Sequence, residues 1–186
     1  MIATQLDAVN LILRKLGEPP IISLDVQYPT LDLIEPALDD SRLDLLVEGW
    51  WFNTFSPTVL MPDPEGRVPV PPDTLVFSPD DPEKFLWAGA YIVLPDGSQI
   101  VGESVPGSRV VDMPFEAMPT SARSAVAHFA ALNVYGSDVG IDNIYGGIQE
   151  LYQIAYRELS RTHTRQRKFS MRQKLQYRRW QHMLRS

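Results

Sequence analysis

Apolar residues recur with helical spacing at both ends of the chain and with a shorter, strand-like period in the middle. Leu6, Val9, Leu13 and Leu16 fall at i, i+3, i+7 and i+10, a single stripe that predicts a helix over residues 4–16. Thr4 is placed to cap its start, with Asp7 three residues on as the capping-box acid. Gly17 is placed to close its end, and Pro19 and Pro20 stop any continuation. A second helix is expected over 31–48, with Leu38, Leu43, Leu45, Leu46 and Val47 on its apolar side and Thr30 as its cap. Pro36 requires that this helix either begin there or kink there. Gly49 ends it. Trp50, Trp51 and Phe52 follow at once and are expected to anchor a core rather than to present a ligand platform.

Between residues 54 and 113 short β-type runs alternate with turn signals. Strands are expected at 58–61, 74–77, 91–94, 99–101 and 109–111, with Asp96-Gly97 as the hairpin turn between two of them. Pro69, Pro71 and Pro72 mark loop or sheet edge. A third helix is then expected over 119–135, with Pro119 at its first helical position and Gly136 as its end. Ala122, Ala125, Ala127, Ala130 and Ala131 beside Val126, Phe129, Leu132 and Val134 predict a closely packed central helix. A fourth runs from about 142 towards 161, carried by Ile144, Ile148, Leu151, Ala155 and Leu159. Gly146 and Gly147 weaken its first turns by about 1 kcal/mol each relative to alanine.

All 16 prolines lie between Pro19 and Pro119, so a proline-rich middle separates two helical ends. The pattern predicts an α+β fold: mainly a helical bundle of about four helices, with an inserted small antiparallel β-sheet and a basic C-terminal arm. The expected segments are N-terminal helices over 1–53, a β-rich insertion over 54–118, helices completing the bundle over 119–161, and the arm over 162–186.

Composition narrows the chemistry. A chain of 186 residues suits one domain plus an extension, and a 150-residue domain buries roughly 70% of its unfolded surface. With no cysteine there is no disulfide framework, thiolate metal site or cysteine nucleophile. No apolar run approaches the ~18–20 residues that span a bilayer, and Asp7 and Asn10 interrupt the only candidate leader, so no membrane association is expected. Phosphate-loop, dinucleotide, nucleophile-elbow and zinc-protease motifs are all missing. His128, His163 and His182 are scattered, and Asp80-Asp81-Pro82 has the character of a turn. No catalytic residue, cofactor or metal site is expected.

Charge is divided sharply along the chain. Residues 161–186 hold nine Lys/Arg and no Asp or Glu, whereas the first 160 hold eight basic and 23 acidic residues, a net −15. In that segment Arg165, Arg167, Lys168, Arg172, Lys174, Arg178 and Arg179 alternate with Phe169, Met171, Leu175, Tyr177, Trp180 and Leu184. Three readings fit: a docking arm for a protein groove, a nucleic-acid contact using phosphate pairing and base stacking, or a solvated tail. The interleaved apolar residues argue against the last, and Tyr177, Trp180 and Leu184 fall at i, i+3 and i+7.

DAVNLILRKLGEPPI at 7–21 and GWWFN at 49–53 resemble the opening of the tail tubular protein A family, the head-to-tail adaptors of short-tailed bacteriophages. Met118-Pro119 before a long helix, and VFSPDD at 76–81, add to the likeness, which covers about residues 5–160. The strongly basic segment beyond lies outside it. The resemblance implies a virion protein made in the bacterial host cytoplasm. It would form a twelve-membered homo-oligomeric ring beneath the phage portal protein, with a terminal segment on the portal and the β part towards a tail nozzle of the tail tubular protein B type. DNA would pass through without sequence-specific binding. The residues by themselves leave two alternatives, a tail-associated glycan or cell-wall hydrolase using paired carboxylates and a nucleic-acid-binding protein using 161–186.

Overall fold

The computed structural model describes residues 2–173, with side chains up to Arg167. The chain is α+β, with four α-helices and two small antiparallel sheets among the described residues. It divides into two compact units: residues up to Arg42 together with those from Phe115 onward, and Leu43–Pro114.

In the first unit local chemistry sets the helix ends. The amide of Asp7 donates to Thr4 Oγ1 at 3.2 Å, and the Asp7 carboxylate accepts from the amides of Ala3 and Thr4 at 2.9 and 3.1 Å. The capping box therefore forms as predicted and opens α1 (Gln5–Leu16). Those two backbone donors hold the Asp7 carboxyl below its usual range. At the other end Gly17 takes φ 79°, a left-handed cap that lets the Glu18 amide reach the Leu13 carbonyl at 2.9 Å. Ala8, Val9, Ile12 and Leu13 form the buried face of α1, which packs against α3 (Thr120–Asp138).

Helix α2 (Leu31–Val47) starts before Pro36 and carries that proline inside it. Its first turn is fixed by the amides of Leu31 and Ile34, which donate to the carbonyls of Tyr28 and Thr30. The Thr30 side chain does not cap the helix as expected; its hydroxyl donates to the Glu18 carboxylate. Pro119 is the N-cap of α3 rather than its first helical residue, and the Arg123 amide donates to its carbonyl at 3.0 Å. Gly136 does not end that helix. It lies inside α3, where an added Cβ would sit 2.9 Å from Cε2 of Tyr145, so its size rather than its flexibility is what the position requires. The five alanines named above have no exposed surface at all.

The last helix, α4 (Asn143–Gln173), is 31 residues long, about 46 Å at 1.5 Å per residue. Asp142 opens it: its carboxylate accepts from the amides of Ile144 and Tyr145 at 2.8 Å and from the Tyr135 hydroxyl at 2.9 Å. Burial and this bond push the Tyr135 phenol up. Ile148, Ala155 and Leu159 are buried, and Tyr152 stacks on Phe129 of α3 with ring centres 4.9 Å apart. Ile144 and Leu151, grouped with them by spacing, lie at the edge of that face and stay exposed.

The second unit holds two three-stranded sheets where one was expected. The first has order β1-β6-β3 and the second β2-β5-β4. Their strands are β1 (Thr54–Leu60), β2 (Val68–Pro69), β3 (Thr74–Pro79), β4 (Leu86–Ala88), β5 (Tyr91–Val93) and β6 (Val105–Val111). Leu60, Val68, Val70, Phe77, Phe85, Ile92 and Val105 form the core of this unit. Asp96-Gly97 does turn the chain, but residues 99–101 do not form a strand against β5. Both edges of β5 are already taken by β2 and β4, and Ile100 forms a single bridge to Arg67 instead. The true tight hairpin joins β4 to β5 through Gly89-Ala90, with Ala88 opposite Tyr91.

Candidate functional site

Two polar side chains explain the two short sequence blocks. In the first unit Asn10 projects from α1 and grips Ile21: its Nδ2 donates to the Ile21 carbonyl at 3.0 Å, and its Oδ1 accepts from the Ile21 amide at 2.8 Å. Glu18, just past the helix, accepts from the Thr30 hydroxyl at 2.9 and 3.0 Å. It also binds the Tyr28 hydroxyl, which raises the Tyr28 pKa. The loop between α1 and α2 is thus tied at both ends. Gly17 makes the turn that starts it, Pro19 is exposed along it, and Ile22 is left 92% exposed.

In the second unit Asn53 is fully buried and makes three side-chain hydrogen bonds. Its Oδ1 accepts from the Trp50 amide at 2.8 Å, and its Nδ2 donates to the carbonyls of Leu46 and Val111 at 2.9 and 3.1 Å. Trp50 is buried, with its indole N–H donating to the Leu45 carbonyl at 2.7 Å. Trp51 and Phe52 are only half-buried and meet edge to face at 5.0 Å. The aromatic triplet therefore separates into one buried ring and two partly wet ones. Sequence reasoning missed both Asn10 and Asn53. Each sits inside an apolar run, where a buried amide must find partners.

The titratable groups make no catalytic arrangement among the described residues. Asp81 accepts from the Lys84 amide in an exposed loop, and Asp39 pairs with Arg42 at 3.2 Å. His128 Nδ1 lies 2.8 Å from the Ser124 carbonyl one turn back. No group of three His, Asp or Glu residues is disposed to hold a metal ion, and no helix is long and apolar enough to cross a membrane, among the described residues.

The remaining feature is the far end of α4. After Leu159 no residue up to Arg167 is buried, and Arg161, Arg165 and Arg167 are exposed. Thr162 and Thr164 turn their hydroxyls back to the carbonyls of Glu158 and Ser160 at 3.0 Å. His163 is held below its usual pKa by partial burial and, secondarily, by the Arg167 charge. Of the residues expected to dock, Lys168, Phe169, Met171 and Arg172 fall within the helical span of α4. Lys174, Leu175, Tyr177, Arg178, Arg179, Trp180 and Leu184 lie outside the described residues.

A family model described as Tail tubular protein matches residues 6–169. The chain is also 30% identical over 168 residues to "Tail tubular protein A" of Klebsiella phage KP34, covering 89% of this chain and 90% of that one.

Proposed function

The chain belongs to the tail tubular protein family, structural components of bacteriophage tails, and from that premise we propose that it is the head-to-tail adaptor. In this reading, copies of the chain form a ring, twelve-membered by the resemblance, that joins the portal to the nozzle and lets DNA pass. The sheet unit faces the nozzle, and the basic segment from Arg161 attaches to the portal.

The observation that carries the reading is the end of α4. After Leu159 no residue up to Arg167 is buried, and the helix runs on to Gln173, 14 residues or about 21 Å past Leu159, over a sequence with basic residues and no acidic ones. A helical stretch without a core of its own is an extension that a partner completes. The residues beyond add Tyr177 and Trp180 between arginines, the side-chain types that dominate interface energetics. Charge alone contributes little, since exposed ion pairs yield only about 0–1 kcal/mol each. The acidic body suits a conduit wall, because like charge keeps the duplex from adhering in transit.

Deleting residues 162–186 tests the reading. The shortened chain should fold with its core intact and fail to attach to the portal. Trp180→Ala should weaken attachment at least as much as reversing Arg178 and Arg179 to Glu. Co-purification of the shortened chain with portal at full stoichiometry would place the attachment elsewhere. Salt-sensitive DNA binding by 161–186 without portal would favour the nucleic-acid alternative instead.

A further inference from the structure

The second sheet ends in an unguarded edge. β4 pairs only with β5 among the described residues, and the five residues from Leu86 to Ala90 are all exposed. Edge strands are ordinarily protected by lysine, proline or a bulge. This one reads Leu-Trp-Ala, and no charged residue occurs from Phe85 to Pro95. Leu86 and Trp87 keep 45% and 37% of their surface exposed. Trp87 is nevertheless a fixed ring. It stands opposite Ile92, which is fully buried, and its indole N–H donates to the Gly89 carbonyl at 2.6 Å, within the hairpin. That bond satisfies the side chain's single polar atom, so what the ring still offers is apolar. A large ring already held in place loses little freedom on binding, which is the character of an interface anchor.

We propose that the β4–β5 hairpin is the surface by which the sheet unit holds the nozzle, with Leu86 and Trp87 seated in an apolar slot whose rim is basic. This rests on the reading above that the sheet unit faces the nozzle, and adds the place and the chemistry of the contact. Charge selects the occupant. Leu43–Pro114 holds eleven acidic and three basic residues, a net −8. Each of the three cations is already paired inside the unit: Arg67 with Asp63 at 3.0 Å, Lys84 with Glu103 at 2.7 Å and Arg109 with Asp73 at 3.2 Å. Exposed Asp80, Asp81 and Glu83 lead into the hairpin. DNA is therefore repelled, and so is the sheet unit of a second copy. A partner that offers an apolar slot ringed by Arg or Lys meets both the ring and the acids beside it. Rim pairs of that kind set partner choice and on-rate, and the buried ring sets affinity.

Amide hydrogen exchange of the full chain, compared in tail particles assembled with and without the nozzle protein, tests this. Residues 86–90 should exchange at least about tenfold more slowly once the nozzle has joined. Nozzle-dependent protection confined to other parts of 43–114 would overturn the hairpin contact and keep the sheet unit at the nozzle. No nozzle-dependent protection anywhere in 43–114 would overturn the reading on which the proposal rests. Protection of 86–90 already complete before the nozzle joins would give the hairpin to a neighbouring copy, and overturn the proposal as well. Substitutions supply an independent arm. Trp87→Ala should weaken nozzle attachment by about tenfold or more. Because Trp87 stands opposite a core residue, Leu86→Lys is the second variant. It places on the edge the residue that protects edges elsewhere, so the melting temperature should hold while attachment falls by a similar factor. A folded Leu86→Lys chain that attaches as the wild type does would overturn the proposal. Glu83→Lys should flatten the salt dependence of attachment, and an unchanged salt dependence would remove the basic rim.

Discussion

In the helical unit small side chains line much of the central helix. Five alanines of α3 have no exposed surface and Gly136 leaves room for the Tyr145 ring, while Ile12, Leu13, Ile148 and Leu159 of the other helices are fully buried, so apolar burial is spread over many positions. In the sheet unit Phe77, Phe85 and Ile92 fill the core, and one amide, Asn53, ties the end of α2 to β6 through three buried bonds. The first arrangement should yield gradually to substitution and the second should fail at single positions.

The sharpest challenge to that contrast is Trp50→Ala, which should cost about 3–5 kcal/mol by removing a buried ring and freeing the Leu45 carbonyl. Thermal unfolding reads it. An unchanged melting temperature with weakened partner binding would move Trp50 from core to interface. Asn53→Ala should follow at about 2–3 kcal/mol, because three buried backbone groups lose their partner at once. If urea midpoints show Asn53→Ala to be nearly neutral, the sheet unit does not depend on its amide. Gly136→Ala should cost no more than about 1 kcal/mol, since the gain in helix propensity offsets the tight approach to the edge of a movable ring. A loss as large as that of Asn53→Ala would erase the distinction between the units.

The smallest expected effect is a pH dependence at the end of α4. His163 has a folded pKa below its ordinary 6.5. The unfolded chain therefore takes up the proton first, and stability falls as pH drops below about 6.5 towards the folded value. It is constant above that window, where both states are neutral. His163→Gln should remove this part of the acid slope, and an unaltered slope would assign it to other groups.

What the sequence made legible was whatever local chemistry decides. The Thr4–Asp7 capping box and the Gly17 turn lie within a few residues of their partners and formed as read, while of the stripe Leu6, Val9, Leu13 and Leu16 only Val9 and Leu13 are buried, joined by Ala8 and Ile12. Gly136 was misread as a helix end because its reason, Tyr145, lies on another helix. The pairing of 99–101 failed for a non-local reason too, since a strand's pattern does not tell that both edges of its neighbour are occupied. Spacing placed Ile144, Ile148 and Leu151 on one face, but packing covers only Ile148 of the three and leaves the other two exposed at its edge. Asn10 and Asn53 stand in the two short blocks, yet nothing local gives their roles, because their partners lie up to 58 residues away.

The helical unit is discontinuous: α1 packs against α3, and the whole sheet unit is encoded between them. At a synthesis rate of about 5–20 residues per second, the 122 residues from Leu16 to Asp138 emerge over roughly 6–25 s. Through that interval Val9, Ile12 and Leu13 have no α3 to cover them, while every strand of the sheet unit leaves the ribosome before the last turn of α3. The part of the chain made first is therefore among the last to close, and the waiting first helix is where a chaperone would find the nascent protein.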